Sequence, residues 1–193
     1  MPESNKGRVV RVATGNRKKF EEIRLLLDSY GLRAVRTRGK DVEIQHDDVR
    51  VVAETALKEA LKHRSEALLI EDAGLYVGAL KGFPGAYSSY VFRTIGGNGL
   101  LRLLSGEKRR EAEFRSAVAY GEADGSIWLF EGRVRGTIAG TPRGTGGFGF
   151  DPIFVPESSP KTFAEMPIEE KNRISHRALA MTAFAKWYAT RIG

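Results

Sequence analysis

The chain has 193 residues, of which 41% are hydrophobic and 28% charged, the balance of a soluble globular protein long enough for one substantial core or two small lobes. No apolar run approaches the roughly 20 residues that a membrane-crossing helix needs. The absence of cysteine excludes disulfide frameworks and thiolate metal sites. The opening Met1-Pro2-Glu3-Ser4-Asn5-Lys6-Gly7 lacks the apolar stretch of a signal peptide, so a cytoplasmic location is the expectation. A net charge of +7 favours polyanionic ligands such as nucleic acids, free nucleotides or acidic lipids. It does not choose among them, and solubility alone accounts for it equally well.

Val9 to Ala13 reads as a short buried strand running into the turn Thr14-Gly15-Asn16. A helix follows, with Phe20, Ile23, Leu27 and Tyr30 on one face and Gly31 as its stop. Such a strand-to-helix turn offers backbone N–H groups and the positive end of a helix dipole to phosphate. Gly15 permits close approach, and Lys18 and Lys19 add charge. The G-x-x-x-x-G-K-[ST] loop is absent, and an ordinary capped helix with solvated basic residues is the competing reading.

Glu43 lies in Asp41-Val42-Glu43-Ile44-Gln45. Next, Val49, Val52, Ala53, Ala56, Leu57, Ala60 and Leu61 form the apolar stripe of a helix that Asp47 or Asp48 can cap. Lys58 lies off that stripe, four residues after Glu54, and reads as half of a surface ion pair. Ala67 to Ile70 reads as a second buried strand, ending in Glu71-Asp72-Ala73-Gly74. Strand–helix–strand order argues for α/β architecture, in which the carboxyl ends of strands hold the ligand. Carboxylates there suit magnesium bound to phosphates, or a general base; a mere turn is the plain alternative.

Leu80 to Gly85 reads as a loop, followed by two short helices broken at Gly96-Gly97. Glu113 to Tyr120 and Ser126 to Ile138 read as two strands joined by a turn at Ala123-Asp124-Gly125, with Phe114, Ser116, Val118 and Tyr120 sharing a face. Thr141 to Phe150 is glycine-rich. In Gly146-Gly147-Phe148-Gly149-Phe150-Asp151-Pro152, aromatic rings suit stacking on a base, and Asp151 can accept from base N–H groups. A hydrophobic turn closing the core is an equal reading. The last segment, from Pro167 or Ser175 to Arg191, reads as helix. If Ser175 caps it, His176 and Arg177 lie in its first turn against the dipole, which suggests a ligand; a solvated polar turn is the alternative. His46 and His63 read as solvated. The whole predicts a long twisted mixed sheet flanked by helices.

Four blocks, in order, resemble the inosine triphosphate pyrophosphatase family. They are Ala13-Thr14-Gly15-Asn16 with Lys19 and Glu22; Glu71 to Leu75 followed by Gly82-Phe83-Pro84-Gly85-Ala86-Tyr87-Ser88; Gly147 to Phe154; and Thr162-Phe163-Ala164-Glu165 followed by Lys171-Asn172 and Ser175-His176-Arg177. The resemblance spans Val9 to about Ala180. It implies an elongated two-lobed α/β structure, one domain over 1–193, with the site in the cleft between lobes. It further implies magnesium-dependent hydrolysis of damaged purine triphosphates (ITP, dITP, XTP) to monophosphate and pyrophosphate, with manganese a possible substitute. By position, Asp72 matches the catalytic acid and, with Glu43, the metal ligands. Thr14, Gly15, Asn16, Arg17, Lys18 and Lys19 match the phosphate loop, and Lys58 a phosphate-contacting lysine. Phe148, Gly149, Phe150, Asp151, Lys171, His176 and Arg177 match nucleotide-binding residues, with Arg177 placed to donate to a 6-oxo group. Ala73 stands where the family often has serine, which puts that substrate contact in question. A homodimer, and neither a membrane nor a stable nucleic-acid partner, is also implied.

Two rivals stand beside this. A basic nucleic-acid-binding module would use the cationic stretch Arg33 to Lys40, but leaves Glu43 and Asp72 unexplained. A pyrophosphatase of the septum-inhibitor type would prefer modified pyrimidine triphosphates.

Overall fold

The computed structural model describes residues 9–37 and 44–192. The elements are β1 (Val9–Ala13), α1 (Arg17–Asp28), β2 (Arg33–Thr37), α2 (Val49–Leu61), β3 (Leu68–Val77), β4 (Pro84–Gly85), α3 (Ser88–Thr94), α4 (Gly96–Leu103), β5 (Glu111–Gly121), β6 (Ile127–Ile138), β7 (Phe154–Pro156), α5 (Ile168–Ile174) and α6 (His176–Ile192). The sheet runs β2-β1-β3-β5-β6-β7, with β4 paired to β3. β2, β1 and β3 are parallel and the remaining pairs antiparallel, which fits the expected mixed α/β architecture. Helical crossovers α1 and α2 join the parallel strands, as parallel pairing requires.

β3 corrects the sequence reading. It does not end at Ile70 but continues to Val77, because every residue from Leu68 to Val77 pairs with β5, Leu68 opposite Gly121 and Val77 opposite Ala112. Glu71 and Asp72 therefore lie mid-strand, and side-chain alternation sends them to opposite faces of the sheet. β2, read in the sequence only as a basic cluster, is the edge strand beside β1. Charged residues such as Arg33 and Arg36 suit an edge and dilute the apolar signal. The final helix is two: Ser175 adopts an extended conformation (φ −73°, ψ 157°) between α5 and α6. Its Oγ accepts from the Ala178 amide at 3.2 Å, the capping role expected of it. Tyr30, expected on the apolar face of α1, lies beyond the helix end and is exposed, while Leu26 is buried.

Three apolar clusters surround the sheet. α1 and α6 cover one face, where Ile23, Leu27 and Phe184 meet Val12, Leu69 and Val118. α2 covers the other, with Ala53 and Leu57 against Ile70, Ala117 and Ala119. The third, farther along β3 and β5, holds Leu75, Phe114, Leu100, Phe150 and Phe154. Glu71 has the same side as Leu69 and Leu75, between the first cluster and the third. Asp72 shares the side of Ile70, toward α2. Among the described residues, no helix is long and apolar enough to cross a membrane.

Candidate active site

The register Val12 to Leu69 sets the site. Extended past the end of β1, it places Thr14 level with Glu71. Asn16 caps α1, its side chain accepting from the Lys19 amide at 3.0 Å, while its own amide donates to Thr14 Oγ1 at 3.1 Å. The first turn carries Arg17, Lys18 and Lys19 and no acid. Cations there oppose the helix dipole, a local cost that a bound anion offsets. Farther along the same edge of β3, β4 pairs with Leu75 and Tyr76. Among the described residues, no strand borders β3 between these two partners, so the stretch around Glu71–Ala73 faces an opening in the sheet.

Behind the turn lies an alternating chain of charges. Lys19 Nζ contacts Glu71 Oε2 at 2.9 Å and donates to the Glu71 backbone oxygen at 3.1 Å. Arg177 Nε lies 3.3 Å from Glu71 Oε1, and its Nη1 donates to Glu22 Oε2. Lys171 Nζ bridges Glu22 Oε1 at 2.7 Å and Asp151 Oδ2 at 2.6 Å. Asp151 Oδ2 also accepts from the Phe148 amide at 2.7 Å. Three cations thus alternate with three carboxylates, all buried except Lys19 at 15% side-chain exposure. Buried charges persist only with partners of this kind.

The pairing sets protonation. Burial alone would raise Glu71, but Arg177, Lys19 and a 2.6 Å hydrogen bond from Ser116 Oγ hold it well below the usual carboxylate range. Glu22, also desolvated, is held down by Arg177 and Lys171. Asp151 goes the other way: burial pushes it up, against the pull of Lys171. Burial keeps His176 neutral, well below its ordinary 6.5. Its ring stacks on Phe114 with centroids 4.5 Å apart and planes 7° from parallel.

Several expected site residues are gathered here, and some differ from expectation. His176 and Arg177 are buried, not a solvated turn. Arg177 turns toward Glu22 and Glu71, so its guanidinium is engaged by acids rather than presented whole to a 6-oxo group. Phe150, expected against a base, is 3% exposed in the core and edge-on to Phe92. Phe148 is the half-buried ring of that loop, with Lys171 Nζ 5.0 Å and the Arg177 guanidinium 5.4 Å from its centroid. Asp151, expected to accept from a base, is tied to Lys171 and Phe148. Gly147 has φ 63°, and a Cβ there would meet Asp151 Oδ2 at 2.1 Å, so the loop requires glycine. Gly149 is half-buried beside Phe148. Lys18 joins this loop to the Thr14–Lys19 turn, donating to the Gly147 oxygen at 2.9 Å.

Asp72 is 6% exposed, opposite Ala117 on the α2 side. Ala73 is half-buried on the side of Glu71 and pairs with Ser116. Lys58 is exposed and pairs with Glu54 at 2.6 Å. Glu43 lies outside the described residues. Two cavities of about 290 and 720 Å³ lie farther along β3 around Tyr76 and Lys81, and the charged chain lines neither. Sequence reasoning missed the parts played by Ser116 and Glu22. Their signals were a hydroxyl on the apolar face of β5 and an acid beside Ile23 on the buried side of α1.

Fold and site together define a mixed α/β protein that gathers cations and one half-buried aromatic ring at an opening in its sheet. The chain belongs to the Ham1 family, which matches residues 10–187. It is 50% identical to a dITP/XTP pyrophosphatase of Thermococcus kodakarensis over 174 residues, 90% of this chain and 94% of that one. It is 45% identical to a dITP/XTP pyrophosphatase of Methanopyrus kandleri over 180 residues, 93% of this chain and 96% of that one. Among solved structures, the Staphylococcus aureus Ham1 protein superposes with a TM-score of 0.81 at 26% identity, covering 95% of this chain and 100% of its own. A nucleoside-triphosphatase / dITP/XTP pyrophosphatase from Mycobacterium abscessus gives 0.71 at 35%, covering 91% and 98%.

Proposed function

We propose that this protein hydrolyses the triphosphates of inosine, deoxyinosine and xanthosine to monophosphate and pyrophosphate, clearing damaged purines from the nucleotide pool. One observation carries the reading: the basic turn Thr14–Lys19 and the Phe148 loop meet at one sheet opening, joined by the Lys18–Gly147 hydrogen bond. Relatives bearing the dITP/XTP pyrophosphatase name over nine-tenths of the chain support it. In this reading the turn amides and Lys19 hold the phosphates, and Phe148 lies against the base. Neutral His176 serves as a hydrogen-bonding group of fixed charge. The Arg177 and Lys171 ion pairs keep the base side rigid.

Asp72, a buried carboxylate next to Glu71 on β3, is the donor expected of a magnesium site, since that ion takes one or two carboxylates and completes its shell with phosphates and water. Glu43 is the second carboxylate in this proposal, and Lys58 a further phosphate contact. When bound, magnesium neutralises phosphate charge and polarises the phosphoryl group under attack. Asp72 accepts the proton of the attacking water. Glu71, held charged by two cations, is excluded from that role. The family resemblance adds a homodimer and a cytoplasmic location to the proposal.

Rates on ITP, dITP, XTP, GTP and a modified pyrimidine triphosphate test the assignment. The reading expects kcat/KM for the first three to exceed that for GTP and the pyrimidine by at least about a hundredfold. Preference for the pyrimidine would move it to the septum-inhibitor type. Turnover of none, with tight binding to RNA or DNA, would move it to a nucleic-acid-binding module.

A further inference from the structure

Glu71 and Asp72 are adjacent acids on opposite faces of the sheet. Glu71 uses each of its oxygens. Oε2 and the backbone carbonyl both hold Lys19 Nζ, at 2.9 and 3.1 Å. Oε1 takes the Ser116 hydroxyl at 2.6 Å and lies 3.3 Å from Arg177 Nε. Lys19 belongs to the phosphate turn at the start of α1. Arg177 belongs to the base side at the start of α6, and through Glu22 it connects to Lys171, Asp151 and the Phe148 amide. Glu71 is therefore the carboxylate that Lys19 and Arg177 share, a buried junction between the two halves of the site in addition to the Lys18–Gly147 bond.

We propose that Glu71 is a positioning residue that couples the phosphate-side Lys19 to the base-side Arg177, so that a change at either cation is felt at the other. The inference rests on the function proposed above for what the two ends bind. The physical case has three parts. Glu71 sits mid-strand on β3, which pairs with β5 along its whole length, so its backbone is a stiff platform. Ser116, from β5 on the same face, fixes the carboxylate's rotation. The side chain of Glu71 is fully buried, where the weak dielectric response lets one carboxylate influence both cations strongly.

The test is a double-variant cycle, Lys19→Gln and Arg177→Lys, read as kcat/KM for ITP with Glu71 and with Glu71→Gln. With Glu71 present, the double variant should lose about tenfold less than the product of the single losses; with Glu71→Gln the product should hold within about twofold. Multiplicative losses in both backgrounds overturn the proposal. The acidic limb of the kcat/KM pH profile should survive Glu71→Gln, and its disappearance would make Glu71 the general base instead. If Glu71→Gln does not fold, Ser116→Ala decides, since it keeps every charge. There the tenfold coupling should fall to about threefold, and an unchanged coupling contradicts the proposal. A second readout needs no turnover: in 13C-lysine-labelled protein, Arg177→Lys should move the Lys19 side-chain signal with Glu71 present and leave it in place with Glu71→Gln. Movement in both backgrounds, or in neither, overturns the coupling. A wild type inactive on every purine triphosphate would sink the proposed function while this readout still decides the inference.

Discussion

Replacing Lys171 by methionine isolates the energetic logic of the buried chain. The ammonium holds Glu22 at 2.7 Å and Asp151 at 2.6 Å, with side-chain exposures of 3–4% throughout. Methionine fills much of the same volume, so packing changes little. What changes is charge: Lys19 and Arg177 remain to balance Glu22, Glu71 and Asp151. Breaking a buried pair while leaving its partner typically costs about 3–5 kcal/mol. For a chain of this length each kcal/mol lowers Tm by about 2–4 °C, so the fall should be about 6–20 °C. The cost should depend on pH in a definite direction. Asp151 is already pushed up by burial, and losing Lys171 raises it further above its unfolded value. The penalty is then full where Asp151 is ionised and shrinks as pH falls through its folded pKa, because the folded protein takes up the compensating proton. Guanidinium unfolding at pH 7 and pH 5, followed by circular dichroism, measures both. Adding Asp151→Asn should recover part of the loss at pH 7. A loss under about 1 kcal/mol at pH 7, or the same loss at both pH values, would refute the reasoning.

Three further outcomes follow from particular contacts. Gly132 on β6 lies so close to α6 that a Cβ would meet the His176 carbonyl oxygen at 2.0 Å. Gly132→Ala should therefore cost about 1–3 kcal/mol by overpacking, seen as a lowered melting temperature. Lys58→Ala breaks an exposed pair worth under about 0.5 kcal/mol. If Lys58 meets phosphate, KM for ITP should rise about tenfold with Tm almost unchanged, and an unchanged KM returns Lys58 to its surface pair. Wild-type stability should fall as pH drops below about 4.5, the ordinary value from which Glu22 and Glu71 are depressed. A lowered carboxyl pKa contributes stability above the unfolded value and loses it as pH falls toward the folded one. The Glu71→Gln variant should show a shallower fall, measurable in denaturant titrations from pH 6 to pH 3.

Where local pattern and tertiary environment agree, the sequence was a good guide. α2 shows this: of the seven residues read as its apolar stripe, Val49, Val52, Ala53, Ala56, Leu57 and Ala60 are buried and Leu61, at the helix end, is half-buried, and Asp48 caps it, accepting from the Arg50 amide at 2.9 Å. The β5–β6 hairpin likewise carries its turn chemistry at Asp124-Gly125, where Asp124 accepts from the Ser126 amide. Failures came where charge is buried. Glu71 and Asp72 look like the end of a strand because acids rarely sit inside one. They are inside one because Lys19, Arg177 and Ser116 converge on Glu71 from segments far away in the chain. Periodicity reports no partner so remote. Phe148 and Phe150 show the same limit: two aromatics in one glycine loop look alike in sequence, yet one turns to the cations and the other into the core. The charges of the site were visible one by one, but not their order along the chain from Lys19 to Asp151.

The most direct measurement follows the products of dITP and magnesium by phosphorus NMR, with wild type and Asp72→Asn in parallel. The account predicts monophosphate and pyrophosphate from wild type, and turnover reduced by at least about a hundredfold in a variant of unchanged melting temperature. Release of single inorganic phosphate would contradict the assigned bond, and full activity of Asp72→Asn would contradict the division of roles between Asp72 and Glu71.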